Sequence, residues 1–148
     1  MPAHWEYFFD RSNLERTMDR KKKRVLIRTA SYGRTVMQRG FKKRKGPAAN
    51  GENPHSHEPH ILRKLTLWGY EAAIEAVTIG PAIFKSAAKQ QSKPVPQLLN
   101  EGGVAVRTVK KKGRRRKQRA RYKARPFRDR ALEPTATKMA ELMKDIPL

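Results

Sequence analysis

The chain has 148 residues, with 35 Lys and Arg against 13 Asp and Glu, and a formal net charge of +22. Only 37% of the residues are hydrophobic and 7% are aromatic, which indicates one domain at most, with a small core. The absence of cysteine excludes disulfide scaffolds, cysteine-ligated metal sites and thiol nucleophiles, while the charge indicates a polyanionic partner.

The first ten residues contain four aromatic side chains, those of Trp5, Tyr7, Phe8 and Phe9. This start has neither the basic leader and apolar centre of a secretory signal nor the Arg-rich, acid-poor character of a transit peptide. Because Glu6 and Asp10 would repel phosphates, we expect the rings to pack in the core or to contact another protein rather than to stack on bases.

Two basic runs lie in the first third of the chain. Ser12 and Glu15 have the spacing of a reciprocal capping box, which predicts a helix from Ser12 into the first run, Lys21 to Arg24. The second run, Lys42 to Lys45, ends at a Gly-Pro pair that indicates a turn or an irregular chain. Phe41, just before it, fits a ring that stacks on a base and a core side chain equally well.

A loop between the second run and the centre of the chain contains His55, His57, Glu58 and His60. Imidazoles two and three residues apart can reach one divalent ion. However, two prolines stiffen this loop and the sequence offers no second pair of ligands, so we expect no metal and no other cofactor. The sequence also lacks a nucleophile elbow, a phosphate-binding loop and a pair of catalytic acids. We therefore expect that this protein is not an enzyme.

The segment from Ile61 to Val106 is nearly neutral and has the best apolar periodicity. Six of its residues fall along one arc at helical spacing: Ile61, Leu65, Trp68, Ala72, Ala76 and Ile79. We therefore predict a helix that ends at Gly80-Pro81 and a second helix from Pro81 to about Lys89. The predicted fold class is mainly α: a small helical hairpin core with long extended basic arms. The β-leaning segments Val25 to Ile27 and Val104 to Val109 could add a minor two-stranded element.

The third basic run, Arg107 to Arg130, contains 14 Lys and Arg and the single acid Asp129. Guanidinium groups bind phosphate oxygens in pairs and stack on bases, and Tyr122 and Phe127 add two rings able to stack on unpaired bases. Because like charges repel, we expect this arm to be disordered until phosphates neutralise it. RNA is favoured over DNA because the sequence has no zinc finger, no zipper and no convincing helix-turn-helix.

The predicted RNA-binding residues come from these three runs and their flanks. They are Lys21, Lys22, Lys23, Arg24, Arg39, Lys42, Lys43, Arg44, Lys45, Lys110, Lys111, Lys112, Arg114, Arg115, Arg116, Lys117, Arg119, Arg121, Tyr122, Lys123, Arg125, Phe127 and Arg128.

After Pro134 the chain changes character. Four apolar residues recur at i, i+3, i+4 and i+7, namely Met139, Leu142, Met143 and Ile146, which predicts a short amphipathic helix. Because the basic arm would tether this helix far from the body, we expect its apolar side to dock on a neighbouring subunit. The predicted organisation is an N-terminal helix with a basic, proline-containing extension (1–60), a helical core (61–106), an RNA-binding arm (107–130) and a C-terminal helix (131–148).

A small helical body with long Lys/Arg-rich extensions resembles a ribosomal protein, and in style the lineage-specific subunits of organellar ribosomes. The resemblance rests on the three basic runs and the neutral middle. It implies a structural component that packs ribosomal RNA beside neighbouring ribosomal proteins, in a mitochondrion or alternatively in the cytoplasmic ribosome or nucleolus. No small-molecule substrate is implied.

Two other classes of protein use similar basic segments. A ribosome-biogenesis or other nuclear RNA-binding factor is the nearer alternative. The more distant one is a basic accessory subunit of a respiratory membrane complex, whose arms would meet lipid head groups. Against a membrane, the sequence has no apolar run of spanning length and no lipidation motif beside the basic residues.

Overall fold

The computed structural model describes residues 11–82, 95–111 and 113–146. In chain order the elements are α1 (Arg11–Gly40), α2 (Ile61–Lys64), β1 (Thr66–Glu71), β2 (Ala76–Pro81), α3 (Val95–Glu101), β3 (Gly103–Lys111), β4 (Arg114–Tyr122) and α4 (Phe127–Lys144). The described residues are about half helical and form two separate two-stranded antiparallel sheets, so the mainly-α prediction is supported in part. The predicted aromatic segment, 1–10, lies outside the described residues.

The long helix α1 confirms the predicted helix at Ser12, which lies inside it, but it continues to Gly40. The residues of its buried face recur three and four apart: Val25, Leu26, Thr29, Ala30, Gly33 and Met37. The predicted strand at Val25 to Ile27 is therefore wrong. Val25 and Leu26 are buried on the helix, and burial of apolar side chains outweighs a weak preference for strand.

The segment predicted as the central helix folds instead as a β-hairpin. β1 pairs with β2 in antiparallel register, with Trp68 opposite Ile79 and Tyr70 opposite Val77. A 3-10 turn, Ala72–Ile74, joins the strands. Along β1, buried or half-buried residues alternate with exposed ones, as in a sheet with one covered face.

The predicted helical-hairpin core is thus wrong. From Ile61 to Pro81, α-helix is confined to Ile61–Lys64, and Pro81 ends β2 instead of beginning a second helix. The rest of that predicted helix lies outside the described residues. Apolar residues in this segment fit both a period of 3.6 and a period of 2, and the β-branched residues around Thr78 favour the strand.

The helix α4 packs antiparallel to α1. The rings of Phe41 and Phe127 meet edge to face, with centroids 5.1 Å apart, at the end of α1 and the start of α4. At Gly33, a Cβ atom would lie 2.9 Å from Thr135 Cγ2 and 2.6 Å from Ile79 Cδ1, so the missing side chain lets α4 and β2 approach α1. Met37 and Ala131 complete this core cluster.

The predicted C-terminal helix is confirmed, and it begins earlier, at Phe127, with Pro134 in its interior. The premise that a long arm tethers it far from the body is wrong, because α4 packs on α1. Of the four apolar residues of the predicted repeat, Met139, Leu142 and Met143 lie in α4, whereas Ile146 follows its end at Lys144. Each of the four is half-buried. Docking of this side on a neighbouring subunit stays a prediction.

Candidate nucleic-acid interface

The third basic run belongs to a β-hairpin, which we call the basic hairpin (residues 103–122). β3 and β4 pair without a break from Gly103 opposite Tyr122 to Lys111 opposite Arg114. Gly113, in the connection, has φ +75°, a conformation that favours glycine. The strand predicted at Val104 to Val109 is confirmed, but its partner is β4. The prediction of a disordered arm is wrong, since β4 has a complete pairing partner.

The basic hairpin combines a high positive charge with wide exposure. Residues 103–122 contain ten Lys and Arg and no Asp or Glu. Every side chain from Arg114 to Arg119 is exposed. Because successive side chains of a strand point to opposite faces, Arg114 and Arg116 lie on one face of β4 and Arg115 and Lys117 on the other. Both faces of this strand are therefore positively charged.

The other end of the basic hairpin is fixed to the body. Ala105 is buried, and a Cβ atom at Gly103 would lie 3.0 Å from the side chain of buried Leu98 in α3. After β4, the backbone N–H of Arg125 donates a hydrogen bond to the carbonyl oxygen of Leu99 at 3.0 Å. The anchored base leaves the turn end, with its cluster of cations, exposed.

The second basic run lies in the region of the hairpin base. Lys42 to Lys45 are all exposed and follow α1 as irregular chain. The loop after this run is bound by cations that follow β4. Lys123 Nζ donates to Asn50 Oδ1 at 3.1 Å, and Arg125 Nη2 donates to the carbonyl oxygen of Ala48 at 2.8 Å. The fold thus joins the second and third runs into one basic region.

A similar bond connects Arg130 Nη1 to Asn53 Oδ1 at 3.0 Å. Sequence reasoning missed the part played by Asn50 and Asn53, because isolated asparagines in a polar loop carry no signal of a distant partner. The half-buried Arg125 and the bonded Lys123 therefore also have a structural role. They hold the loop of the second run against the base of the basic hairpin.

One acid moderates the charge of the second run. The carboxylate of Glu52 lies 3.4 Å from Lys42 Nζ and accepts a hydrogen bond from the backbone N–H of Ala49 at 3.3 Å. The hydrogen bond from the Ala49 N–H is the main reason that the pKa of Glu52 lies below its ordinary value of 4.5, and the nearby ammonium group of Lys42 lowers this pKa further. Glu52 is therefore ionised at neutral pH and offsets part of the charge of Lys42.

The first basic run lies apart from this region, on α1. Lys22, Lys23 and Arg24 are exposed and Lys21 is half-buried. Lys23 Nζ lies 5.3 Å from the centroid of the Tyr70 ring in β1, a cation–π contact that fixes the side chain on the body. From Lys22 to Gly40 the helix rises by about 27 Å, at 1.5 Å per residue. The structure does not bring the first run together with the other two.

The predicted RNA-binding residues thus differ in exposure. The exposed ones are Lys22, Lys23, Arg24, Arg39, Lys42, Lys43, Arg44, Lys45, Arg114, Arg115, Arg116, Lys117, Arg119, Arg121, Lys123 and Arg128; Lys21, Tyr122 and Arg125 are half-buried. Lys110 and Lys111 are placed by their backbone pairing with Arg115 and Arg114. Lys112 lies outside the described residues.

The position of Phe127 contradicts the prediction that its ring stacks on a base. Its ring is 2% exposed and packs against Phe41, which is fully buried, so neither ring can stack on a base while the protein is folded. The two possibilities for Phe41 are thereby resolved in favour of the core. A stacking role remains open for Tyr122, whose side chain is half-buried.

The histidines of the central loop have structural partners. His55 Nδ1 donates to the carbonyl oxygen of Gly46 at 2.8 Å, and His60 Nδ1 bonds that of Ser56 at 2.8 Å. In the part of the chain that the structure describes, no three His, Cys, Asp or Glu residues come close enough together to hold a metal ion. None of the described helices combines the length and the apolar character that a membrane crossing requires.

No protein-family model matches the sequence, and no curated protein or solved structure is significantly similar to it.

Proposed function

We propose that this chain is a structural RNA-binding protein that binds and packs ribosomal RNA as a subunit of a mitochondrial ribosome. The observation that carries the proposal is the basic hairpin. It carries ten cations and no acid, and its second strand is exposed on both faces from Arg114 to Arg119. The exposed second basic run lies beside it. Such a surface is complementary to closely spaced phosphates rather than to a small molecule.

The charge arrangement costs stability in the free protein. Arg115 pairs in register with Lys110, and Arg114 with Lys111. Like charges directly opposite one another in a sheet are destabilising, and the exposed end of this ribbon has few apolar side chains to compensate. Phosphates on both sides of the ribbon would remove the repulsion. We therefore expect RNA to stabilise the basic hairpin.

The surface favours contact with backbone and shape over the reading of bases. Among the described residues of the hairpin, Tyr122 is the single aromatic side chain, and it lies at the anchored end. Modules that read single-stranded RNA commonly stack successive bases on several exposed rings. Folded RNA, in contrast, presents phosphates and 2′-hydroxyls at many points of its surface. A structural role in an RNA-rich particle fits this chemistry.

Duplex DNA is the second candidate ligand, since a two-stranded β-ribbon fits the major groove of B-form DNA. The two ligands predict different preferences. A ribbon that reads the major groove should bind B-DNA at least as well as RNA, because the A-form major groove of RNA is deep and narrow. Packing of folded RNA predicts the opposite order.

The test neutralises two exposed cations on one face of β4, R115Q together with K117Q. The matched control is K64Q together with K144Q, which removes two exposed lysines outside the three runs. Affinity for a folded RNA and for a B-DNA duplex of equal length is measured across a salt series. The slope of log K against log salt is negative, and each lost phosphate contact reduces its magnitude by about 0.7 to 0.9. For the hairpin variant, which loses two contacts, the slope should therefore be less steep by about 1.4 to 1.8.

We expect the control slope to stay close to that of the wild type, and RNA to bind more tightly than DNA. Equal losses in the two variants would show general attraction to a basic protein and would contradict a hairpin interface. Tighter binding of the DNA duplex would favour the second candidate.

A further inference from the structure

Four exposed arginines follow one another along α1 at intervals of four residues: Arg16, Arg20, Arg24 and Arg28. Each step of four residues rises by about 6 Å and turns by about 40°, so the guanidinium groups form a row about 18 Å long on one side of the helix. We call this set the arginine row. Of its members, Arg24 alone is among the RNA-binding residues predicted from the sequence.

The arginine row lies on the side of α1 that faces away from the body. The buried face of the helix includes Leu26, Ala30 and Gly33, which meets Ile79 and Thr135. At 100° per residue, the row is centred about 160° round the helix from this buried face. The other described elements therefore leave the row accessible to a large partner.

The charge around the row is strongly positive. Residues 16–28 contain seven Lys and Arg and the single acid Asp19. Like charges at i, i+4 spacing oppose helix formation, so the row is unfavourable for an isolated helix. Guanidinium groups are suited to bind phosphate oxygens in pairs. The chemistry that complements an extended row of them is a phosphate backbone.

The row is separate from the basic region at the other end of α1. The outer face of the helix continues from Arg28 through the exposed, uncharged Ser31 and Thr35 before Arg39. Over the eleven positions from Arg28 to Arg39, about 16 Å, the one described cation near this face is Arg34. Arg34 is half-buried, and its Nε donates a hydrogen bond to the carbonyl oxygen of Thr66 at 3.0 Å, so its side chain is held on the body. The basic hairpin is attached through α3 and the loop of the second run, beyond the end of α1.

We propose that the arginine row binds the phosphate backbone of a second RNA duplex while the basic hairpin binds a first, so that one copy of the chain bridges two RNA helices. This inference rests on the proposed function, because it assumes that the hairpin binds RNA. It adds a second RNA surface and a reason for the length of α1, which keeps the two surfaces apart.

The test is a bridging assay with the full chain and two RNA duplexes of the same sequence. One duplex is immobilised, the protein is bound to it and the excess washed away, and a fluorescent copy is then added. The row variant carries R16Q, R20Q, R24Q and R28Q; the hairpin variant carries R115Q, K117Q, R119Q and R121Q. Each loses four charges, and all eight positions are exposed. Circular dichroism and sedimentation equilibrium establish that each protein is folded and monomeric.

We expect the row variant to bind the immobilised duplex but to retain about tenfold less of the fluorescent duplex than the wild type, because it lacks the second set of phosphate contacts. Retention equal to that of the wild type would overturn the inference and leave the proposed function intact. Loss of binding to the first duplex by either variant alone would also overturn it, since that result means one composite site. If the wild type binds no duplex, the proposed function itself fails.

Discussion

Replacement of Phe127 by Ala separates the core role found in the structure from the base-stacking role predicted from the sequence. The ring is 2% exposed and meets Phe41 edge to face at the junction of α1 and α4. Removal of a buried Phe side chain costs about 3 to 5 kcal/mol of unfolding free energy, because apolar contacts are lost and a cavity remains. Domains of this size are stable by about 5 to 15 kcal/mol, so the variant should be folded but weakened.

The expected effect can be expressed as a melting temperature. For a chain of this length, 1 kcal/mol corresponds to a shift of about 3 °C, so F127A should melt about 9 to 15 °C below the wild type. The control is L132A in the same helix, where the side chain is 66% exposed and the expected shift is below about 2 °C. Both substitutions introduce the residue that favours helix most strongly.

Thermal unfolding of both variants is followed by far-ultraviolet circular dichroism without RNA, and RNA affinity is measured well below the transition. We expect F127A to retain the affinity of the wild type while it is folded. A melting temperature equal to that of L132A, together with weaker RNA binding, would refute the core assignment and restore the stacking role.

Three further predictions concern the packing of the body. G33V should lower the melting temperature, with a cost of about 1 to 3 kcal/mol, because even its Cβ atom would lie within 3 Å of Ile79 and Thr135; unchanged stability would contradict the close approach of α1 and α4. L142D should destabilise the free protein, since Leu142 continues the buried face of α4. M143D, about 100° further round the helix, should lower the melting temperature by less than L142D does and should reduce incorporation into the particle, where this side docks on a neighbour; equal melting temperatures of the two variants would contradict this assignment of faces. E52Q should have a lower free energy of unfolding than the wild type at neutral pH, because the lowered pKa of Glu52 means that its ionised carboxylate stabilises the folded protein. This difference should vanish as the pH falls through that pKa; a difference that grows in acid would contradict this sign.

The outer helices were predictable because their signals are local. Ser12 and Glu15 mark the first turns of α1, and the repeat from Met139 to Ile146 needs no knowledge of a partner. Their extents were not predictable in the same way. Val25 to Ile27 favours a strand by propensity and becomes helical through burial, and Pro134 reads as a boundary although it lies inside α4.

The two hairpins show where sequence reasoning failed for physical reasons. In β1 and β2, the spacing of Trp68 and Ile79 fits both a helix and a strand, and the cross-strand pairing decides between them. β4 consists mainly of Arg and Lys, so its own sequence has no strand signal, and its conformation follows from pairing with the β-branched residues of β3. Gly113, between two segments of equal length, was the one local indication of a turn.

For the candidate interface, the sequence identified which residues are basic, and the fold determined which of them act together. Lys123 bonds Asn50 and Arg125 bonds Ala48, and these two long-range hydrogen bonds hold the loop after the second run against the third run. No local pattern specifies them. The arginine row could have been found from its spacing of four residues, but only after the helix was known to extend past Arg28.

The central claim, that the chain is a structural component of a ribosome, is tested most directly by sedimentation of the endogenous protein from a mitochondrial extract. Sucrose gradients are run at high salt, with and without prior RNase treatment, and the protein is located beside ribosomal RNA and marker subunits. We predict that it migrates with a mature ribosomal subunit at high salt and moves to the top of the gradient after RNase. Migration with precursor particles alone, or a position that RNase does not change, would contradict the claim.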